Sequence, residues 1–273
     1  MRSRVVVLLT ALALGLAACA SGSSPSPSAA ASVAAAAPAN LTIYGAASLK
    51  AVLAKAQTAY QAANPGTTVT ISTDSSSALE TKIEQGAPAD VFLSADTANP
   101  QKLVDKGLAA GALTKFAGNL LTVIVPTANP AGIQTPADLA KAGIKVIACG
   151  DTVPIAKYAT VLVANLAKEA GYPVGFAAAY TSNVVSKEDN VKALIAKIEL
   201  GEGDAGIVYE TDAKASTKAA TVPVPDTANV PATYAGVVVK ESANAVAARA
   251  FLDWLAGPEG QRILAGFGFL PAP

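Results

Sequence analysis

Four short stretches combine small or hydroxylated residues with the start of a helical pattern, an arrangement that leaves backbone N–H groups free to hold an anion. The first is Ala46-Ala47-Ser48, after the apolar run Leu41–Tyr44. The second is Ser75-Ser76-Ser77, after Thr67–Ser72, with more hydroxyls than one helix cap uses. The third is Asp151-Thr152-Val153-Pro154-Ile155-Ala156, after Lys145–Ala148, where Pro154 suits a first helical turn. The fourth, Glu188-Asp189-Asn190-Val191, opens the stripe Val191, Leu194, Ile195, Ile198. Singly, each reads as ordinary capping. Together, and with no cationic cluster beside them, they point to a compact anion bound by helix dipoles and uncharged donors. Each terminus contributes roughly 0.3–1 kcal/mol, up to about 2 when partly buried, and each hydrogen bond to a charged group about 1.5–3. Such terms reach submicromolar affinity only where water is excluded, which favours two lobes that close over the ligand.

The chain has no histidine. That removes the usual general base, the commonest metal ligand and every Ser-His or Cys-His nucleophile pair. There is no G-x-S-x-G elbow, no S-x-x-K pair and no metal-loop spacing of carboxylates, so catalysis is not expected and no cation site is assigned. Besides Cys19 the chain holds only Cys149, which reads as a small buried hydrophobe.

The elements that must position these loops alternate short β-branched runs with amphipathic stretches, the pattern of an α/β protein with parallel sheets and covering helices. Strands are expected at Leu41–Tyr44, Thr67–Ser72, Val91–Ser94, Leu120–Val125, Lys145–Ala148, Gly206–Tyr209 and Tyr234–Val239. Helical stripes run through Leu49, Val52, Leu53, Ala56 and Tyr60, through Leu79 and Ile83, and through Val191–Leu200. Ala247 to Phe269 should form a helical pair broken at Gly257-Pro258, with Trp254 in the core. No repeat of solenoid period is present.

Arg2 and Arg4 followed by the apolar run Val5–Ala18 have the form of an export signal, too short to span a bilayer. The run closes on Leu16-Ala17-Ala18-Cys19, which resembles the bacterial lipobox. That likeness implies cleavage after residue 18 and a lipid anchor at Cys19; an ordinary secretory signal with an incidental thiol would leave the compartment the same. Residues 19–39, almost all Ala, Ser, Gly and Pro, read as a flexible tether. Without Arg2 and Arg4 the 20 basic and 20 acidic residues leave a nearly neutral chain, so nucleic acid is not an expected partner.

From about Leu41 to Phe269 the chain resembles the periplasmic molybdate-binding proteins of ABC transporters. The likeness rests on Ala46-Ala47-Ser48-Leu49, on Ser75-Ser76-Ser77-Ala78-Leu79 and on Gly86-Ala87-Pro88-Ala89-Asp90-Val91-Phe92-Leu93-Ser94-Ala95-Asp96. Gly206-Ile207-Val208-Tyr209, Gly257-Pro258-Glu259-Gly260 and Gly266-Phe267-Gly268-Phe269 complete it. It implies the two-lobed type II binding-protein fold, with crossings near Gly118-Asn119 and Pro225-Asp226, so that residues 40–118 with 227–273 form one lobe and 119–226 the other. It further implies an oxyanion ligand, molybdate or tungstate, and no cofactor. Ser48 and Ser76 would bind it through hydroxyl and N–H groups, Ile155 and Val191 through backbone N–H groups, and Tyr209 through its phenol. Direct coordination of a metal cation is not implied. The pattern departs where Ile155-Ala156-Lys157 replaces a smaller Ala-Gly stretch, which brings a lysine near the third loop. By the same likeness the chain would be a monomer that serves the permease and ATPase of an importer outside the cytoplasmic membrane. A sulfate-type oxyanion, or a surface enzyme or adhesin on the same scaffold, is the alternative.

Overall fold

The computed structural model describes residues 38–273; the signal segment, Cys19 and the tether up to residue 37 lie outside the described residues. In chain order the elements begin with β1 (Asn40–Ala46), a 3₁₀ turn at Ala47–Leu49, α1 (Lys50–Ala63), β2 (Thr68–Asp74) and α2 (Ser76–Glu84). Then come β3 (Val91–Ser94), α3 (Ala98–Asp105), β4 (Thr114–Asn119), β5 (Leu121–Pro126) and β6 (Val146–Cys149). These are followed by α4 (Pro154–Leu166), α5 (Phe176–Ser182), β7 (Val184–Glu188), α6 (Val191–Glu199) and β8 (Gly206–Tyr209). The chain closes with α7 (Glu210–Ala215), β9 (Ala219–Val222), β10 (Ala232–Val238), α8 (Ala245–Ala256) and α9 (Pro258–Gly266).

One five-stranded sheet has the order β2-β1-β3-β10-β4, a three-stranded sheet the order β8-β5-β9, and β6 pairs with β7. The chain leaves the first sheet between β4 and β5, with only Leu120 between them, and returns between β9 and β10. These two crossovers make the two-lobed architecture that the motif likeness implied.

The expectation of parallel sheets is corrected in part. β1 runs parallel to β2 and β3, and β6 to β7, but β10 is antiparallel to β3 and β4, and β5 to β8 and β9. The reason is the double crossing: a strand that enters a lobe from the other one arrives reversed, so each returning strand pairs antiparallel. Three strands lie outside the expected set: β4, β7 and β9. β4 carries Lys115 and Gly118, and β7 alternates with Ser186 and Lys187, so neither shows a sustained apolar run.

Burial follows the stripes. Val52, Leu53, Ala56 and Tyr60 of α1 recur at helical spacing and are all buried against β1 and β2. Tyr60 meets Phe251 and Trp254 edge-on at 4.9 and 5.1 Å, which ties α1 to the C-terminal helix pair and places Trp254 against the core. The pair breaks at Gly257-Pro258 as expected, with Pro258 as the first residue of α9.

Gly206 is where a missing side chain sets the second lobe. A Cβ there would meet the Ile147 carbonyl oxygen at 2.9 Å and Leu194 Cδ2 at 2.7 Å, so β8 can approach β6 and α6 this closely only as glycine. Because backbone is one of the two obstacles, Gly206→Ala is expected to lower stability by about 1–3 kcal/mol. Urea denaturation measures it; a midpoint equal to the wild type would show that the contact yields without cost.

Candidate functional site

The ends of β1, β2 and β3 and the starts of α2, α4 and α6 converge on one buried cavity between the lobes. Ser48, Ser76, Ile155, Val191 and Tyr209 all line it, with Ala46, Ala47, Ser75, Ala95, Val153, Pro154 and Asn190 completing the wall. The five expected site residues, drawn from five segments of the chain, are thus brought together. All are buried, none exposing more than the 6% of Ser48. The free space is about 10 Å³, roughly what one water occupies, so the lobes stand almost shut and a four-oxygen anion would need them to part slightly.

Each helix start at this space leaves N–H groups without an intrahelical acceptor. Pro154 is the first residue of α4, which puts the Ile155 N–H in the first turn with no carbonyl four residues back in the helix. Asn190 caps α6, its Oδ1 accepting from Lys192 and Ala193 N–H at 3.1 Å each, so Val191 N–H stays uncommitted.

The three serines divide their work. Ser75 Oγ is the cap of α2, accepting from Ala78 N–H at 3.2 Å, and Ser77 Oγ lies 3.2 Å from it. Ser76 is thereby spared. Its Oγ accepts from Ala95 N–H at 3.0 Å, which leaves the Ser76 proton to be donated elsewhere.

Tyr209, the last residue of β8, stands edge-on to Tyr158 and Tyr234, with ring centroids 6.4 and 5.6 Å away. Its hydroxyl is fully buried and has no hydrogen-bond partner. Burial, followed by Tyr234, Tyr158, Asp212 and Asp96 nearby, holds its pKa well above the usual phenol range, so it is a proton donor throughout the physiological range.

No lysine or arginine lines the cavity. Lys157, the cation flagged by the sequence, instead faces Asp96, Nζ to Oδ2 at 3.8 Å, and is half exposed. Lys192 lies 2.6 Å from Asp212 Oδ1, but without the alignment of a hydrogen bond, and both carboxylate oxygens of Asp212 lack one. Desolvation keeps the Asp212 pKa raised despite the opposing pull of Lys192. The electrostatics facing the cavity are therefore amide and hydroxyl dipoles with no full positive charge among them, an arrangement that can stabilise a compact anion without neutralising it.

A model of bacterial extracellular solute-binding proteins matches residues 41–270. The chain belongs to this family. The molybdate-binding protein ModA of Mycobacterium tuberculosis is 35% identical over 231 residues, 84% of each chain. A Bacillus subtilis protein described as a putative ABC transporter substrate-binding lipoprotein, YvgL, is 30% identical over 234 residues, 84% of this chain and 85% of that one. Among solved structures, the sulfate-binding protein SubI of M. tuberculosis aligns with a TM-score of 0.76 at 23% identity, over 85% of this chain and 87% of that one, a likeness of fold alone. The fold is the type II binding-protein architecture, and the chain is a solute-binding protein, not an enzyme. No helix among the described residues is long and apolar enough to cross a membrane.

This solute-binding protein holds a larger cavity, about 300 Å³, behind α4, where Ala148, Cys149, Ala159, Val163, Ala177 and Tyr180 form much of the wall. It offers an anion little: the cation in its wall, Lys187, is already paired with Asp151 at 2.6 Å. The donor-lined cavity is the smaller one. Cys149 is buried as the sequence implied, and desolvation, aided by Glu188, Asp212 and Asp189, pushes its thiol up to about 12. Thiolate is the reactive form, so the native protein at pH 8 should leave Cys149 unmodified by iodoacetamide, while the urea-unfolded chain is alkylated there. Peptide mass mapping checks this; rapid labelling of the folded protein would contradict the burial.

Proposed function

We propose that the protein captures molybdate or tungstate between its lobes and delivers it to the permease and ATPase of an ABC importer. The observation that carries this reading is the Tyr209 hydroxyl, buried without a partner in a cavity also lined by Ser48, Ser76, Ile155 and Val191. A buried donor with nothing to donate to costs roughly 1–3 kcal/mol, and an anion that accepts from it removes that cost. The named function of the 35% identical relative supports molybdate, and the description of the 30% identical relative supports the importer and the lipoprotein state.

In this reading Ser48 and Ser76 donate from the lobe of residues 40–118 and 227–273, and Ile155, Val191 and Tyr209 from the lobe of 119–226. Lipidation at Cys19, after removal of residues 1–18, holds the protein at the outer face of the cytoplasmic membrane on the tether of residues 19–39. The protein acts as a monomer, since one chain supplies every donor. Discrimination against sulfate comes from size: a larger tetrahedral ion reaches the donors of both lobes together, and a smaller one leaves some unpaired.

Isothermal titration with molybdate, tungstate and sulfate tests the ligand. Molybdate and tungstate should bind tightest; tightest binding of sulfate would replace the ligand and keep the class. Ser76→Ala should weaken molybdate binding by about 1.5–3 kcal/mol, roughly ten- to a hundredfold. An unchanged dissociation constant would take Ser76 out of the site.

Tyr209→Phe separates binding from folding. Deleting the unpartnered hydroxyl should weaken molybdate binding at least about tenfold while leaving the ligand-free protein as stable as the wild type or more so. Parallel loss of both affinity and thermal stability would mean that the phenol serves the fold.

A further inference from the structure

Ser48 can serve an anion only if its proton points into the cavity, and the hydrogen bonds behind it decide where that proton goes. Its Oγ lies 3.0 Å from the Tyr234 hydroxyl, and by distance alone either oxygen could donate. The ambiguity is removed two residues further back. Asn119 Oδ1 accepts from the backbone N–H of Leu120 at 3.0 Å, and since that N–H can only donate, the amide orientation is fixed. Asn119 Nδ2 therefore faces the other way. It donates to Thr211 Oγ1 at 2.8 Å and to the Tyr234 hydroxyl at 3.4 Å. Asn119 Nδ2 can only donate, so of the two partners at the Tyr234 hydroxyl only Ser48 Oγ can take its proton.

We infer that Tyr234 is a positioning residue: by donating to Ser48 Oγ, under direction from Asn119, it keeps the Ser48 proton from turning back to Tyr234 and directs it to the bound anion. This rests on the oxyanion reading above and deepens it. Tyr234 does not itself line the cavity; it stands behind Ser48, fully buried. The chain of donors runs Leu120 N–H, Asn119, Tyr234, Ser48 and then ligand, each group satisfied by the one before it. A hydrogen bond received by Ser48 also polarises its O–H, which strengthens the bond it gives onward. The arrangement parallels Ser76, whose oxygen is occupied by Ala95 N–H. Each serine thus has a donor behind its oxygen and its own proton left to give.

The network also spans the crossover. Asn119 ends β4 at the exit from the first sheet, Thr211 lies on α7 beside the second, and Tyr234 is on the returning β10. The group that sets the Ser48 proton is itself held by residues on both sides of the cleft.

The test is a double-mutant cycle read by titration with sodium molybdate: wild type, Tyr234→Phe, Ser48→Ala and the double variant. Tyr234→Phe should weaken binding about tenfold in the Ser48 background and not measurably when Ser48 is already alanine, because its effect travels through that hydroxyl. A general loosening of the fold would weaken both backgrounds equally, and that result overturns the inference, as does wild-type affinity in Tyr234→Phe. If Tyr234→Phe does not fold, Asn119→Asp asks the same question. Its carboxylate still accepts from Leu120 but takes the Tyr234 proton, which turns Ser48 towards Tyr234. The added charge acts in both Ser48 backgrounds, whereas the part carried by Ser48 should vanish in Ser48→Ala; equal loss in both overturns the inference. Wild-type protein that binds no oxyanion at all would overturn the reading of the site and this inference with it, whereas normal wild-type binding with no coupling would overturn the inference alone.

Discussion

A hydroxyl that has left water and found no partner is a standing cost, and the Tyr209 hydroxyl bears that cost at the meeting point of the two lobes. The rest of the cleft is arranged around the same constraint. The helices that start there are capped by residues that leave their first N–H groups free: Ser75 for α2, Val153 with Pro154 for α4, and Asn190 for α6. Nothing with a full positive charge lines the cavity, and Lys157 and Lys192, close in sequence to its wall, are paired with Asp96 and Asp212. A compact anion suits such a wall, since every oxygen it carries is an acceptor and the polar groups proposed to face it, the hydroxyls of Ser48, Ser76 and Tyr209 and the free N–H groups of the helix starts, can donate.

How far this was legible beforehand depends on the range of the interaction. Helix starts are local events, set by three or four consecutive residues, and the four loops named from the sequence do converge. The strands Val91–Ser94 and Gly206–Tyr209 match because burial on both faces gives them unbroken apolar runs. β4, β7 and β9 lie outside the expected strands because their residues break or shorten the apolar run: Lys115 and Gly118 in β4, Ser186 and Lys187 in β7, and only four residues, two of them alanine, in β9. The antiparallel pairings were illegible for a related reason: strand direction is settled by the crossovers, not by any strand's own residues.

The site shows the same division. Ser48, Ser76, Ile155 and Val191 could be nominated from their places in loops, whereas Tyr209 came forward only through likeness to a family. Tyr234 gave no sign of a role in the site, and Asn119 stood out only as the place of a crossing. Tyr234 reads as the start of an ordinary strand, and its bond to Ser48 joins residues 186 apart, that to Asn119 residues 115 apart. A hydrogen-bond relay across such separations leaves no periodicity for a sequence to display.

Two of the polar contacts that bridge the lobes are weak. Asn190 Nδ2 reaches Asp74 Oδ1 at 3.3 Å, and Lys157 reaches Asp96 at 3.8 Å. The lysine is half exposed, and such a pair contributes roughly 0–1 kcal/mol. Asp74 is already engaged by Ser75 N–H and Lys82, so Asn190 adds little to it. Against these stand the donors of the proposed site, which lie on both lobes and each contribute about 1.5–3 kcal/mol once an anion accepts from them. In the proposed role the solute's hydrogen bonds to donors on both lobes add to the closure these contacts provide, and release needs only that those bonds be exchanged for water.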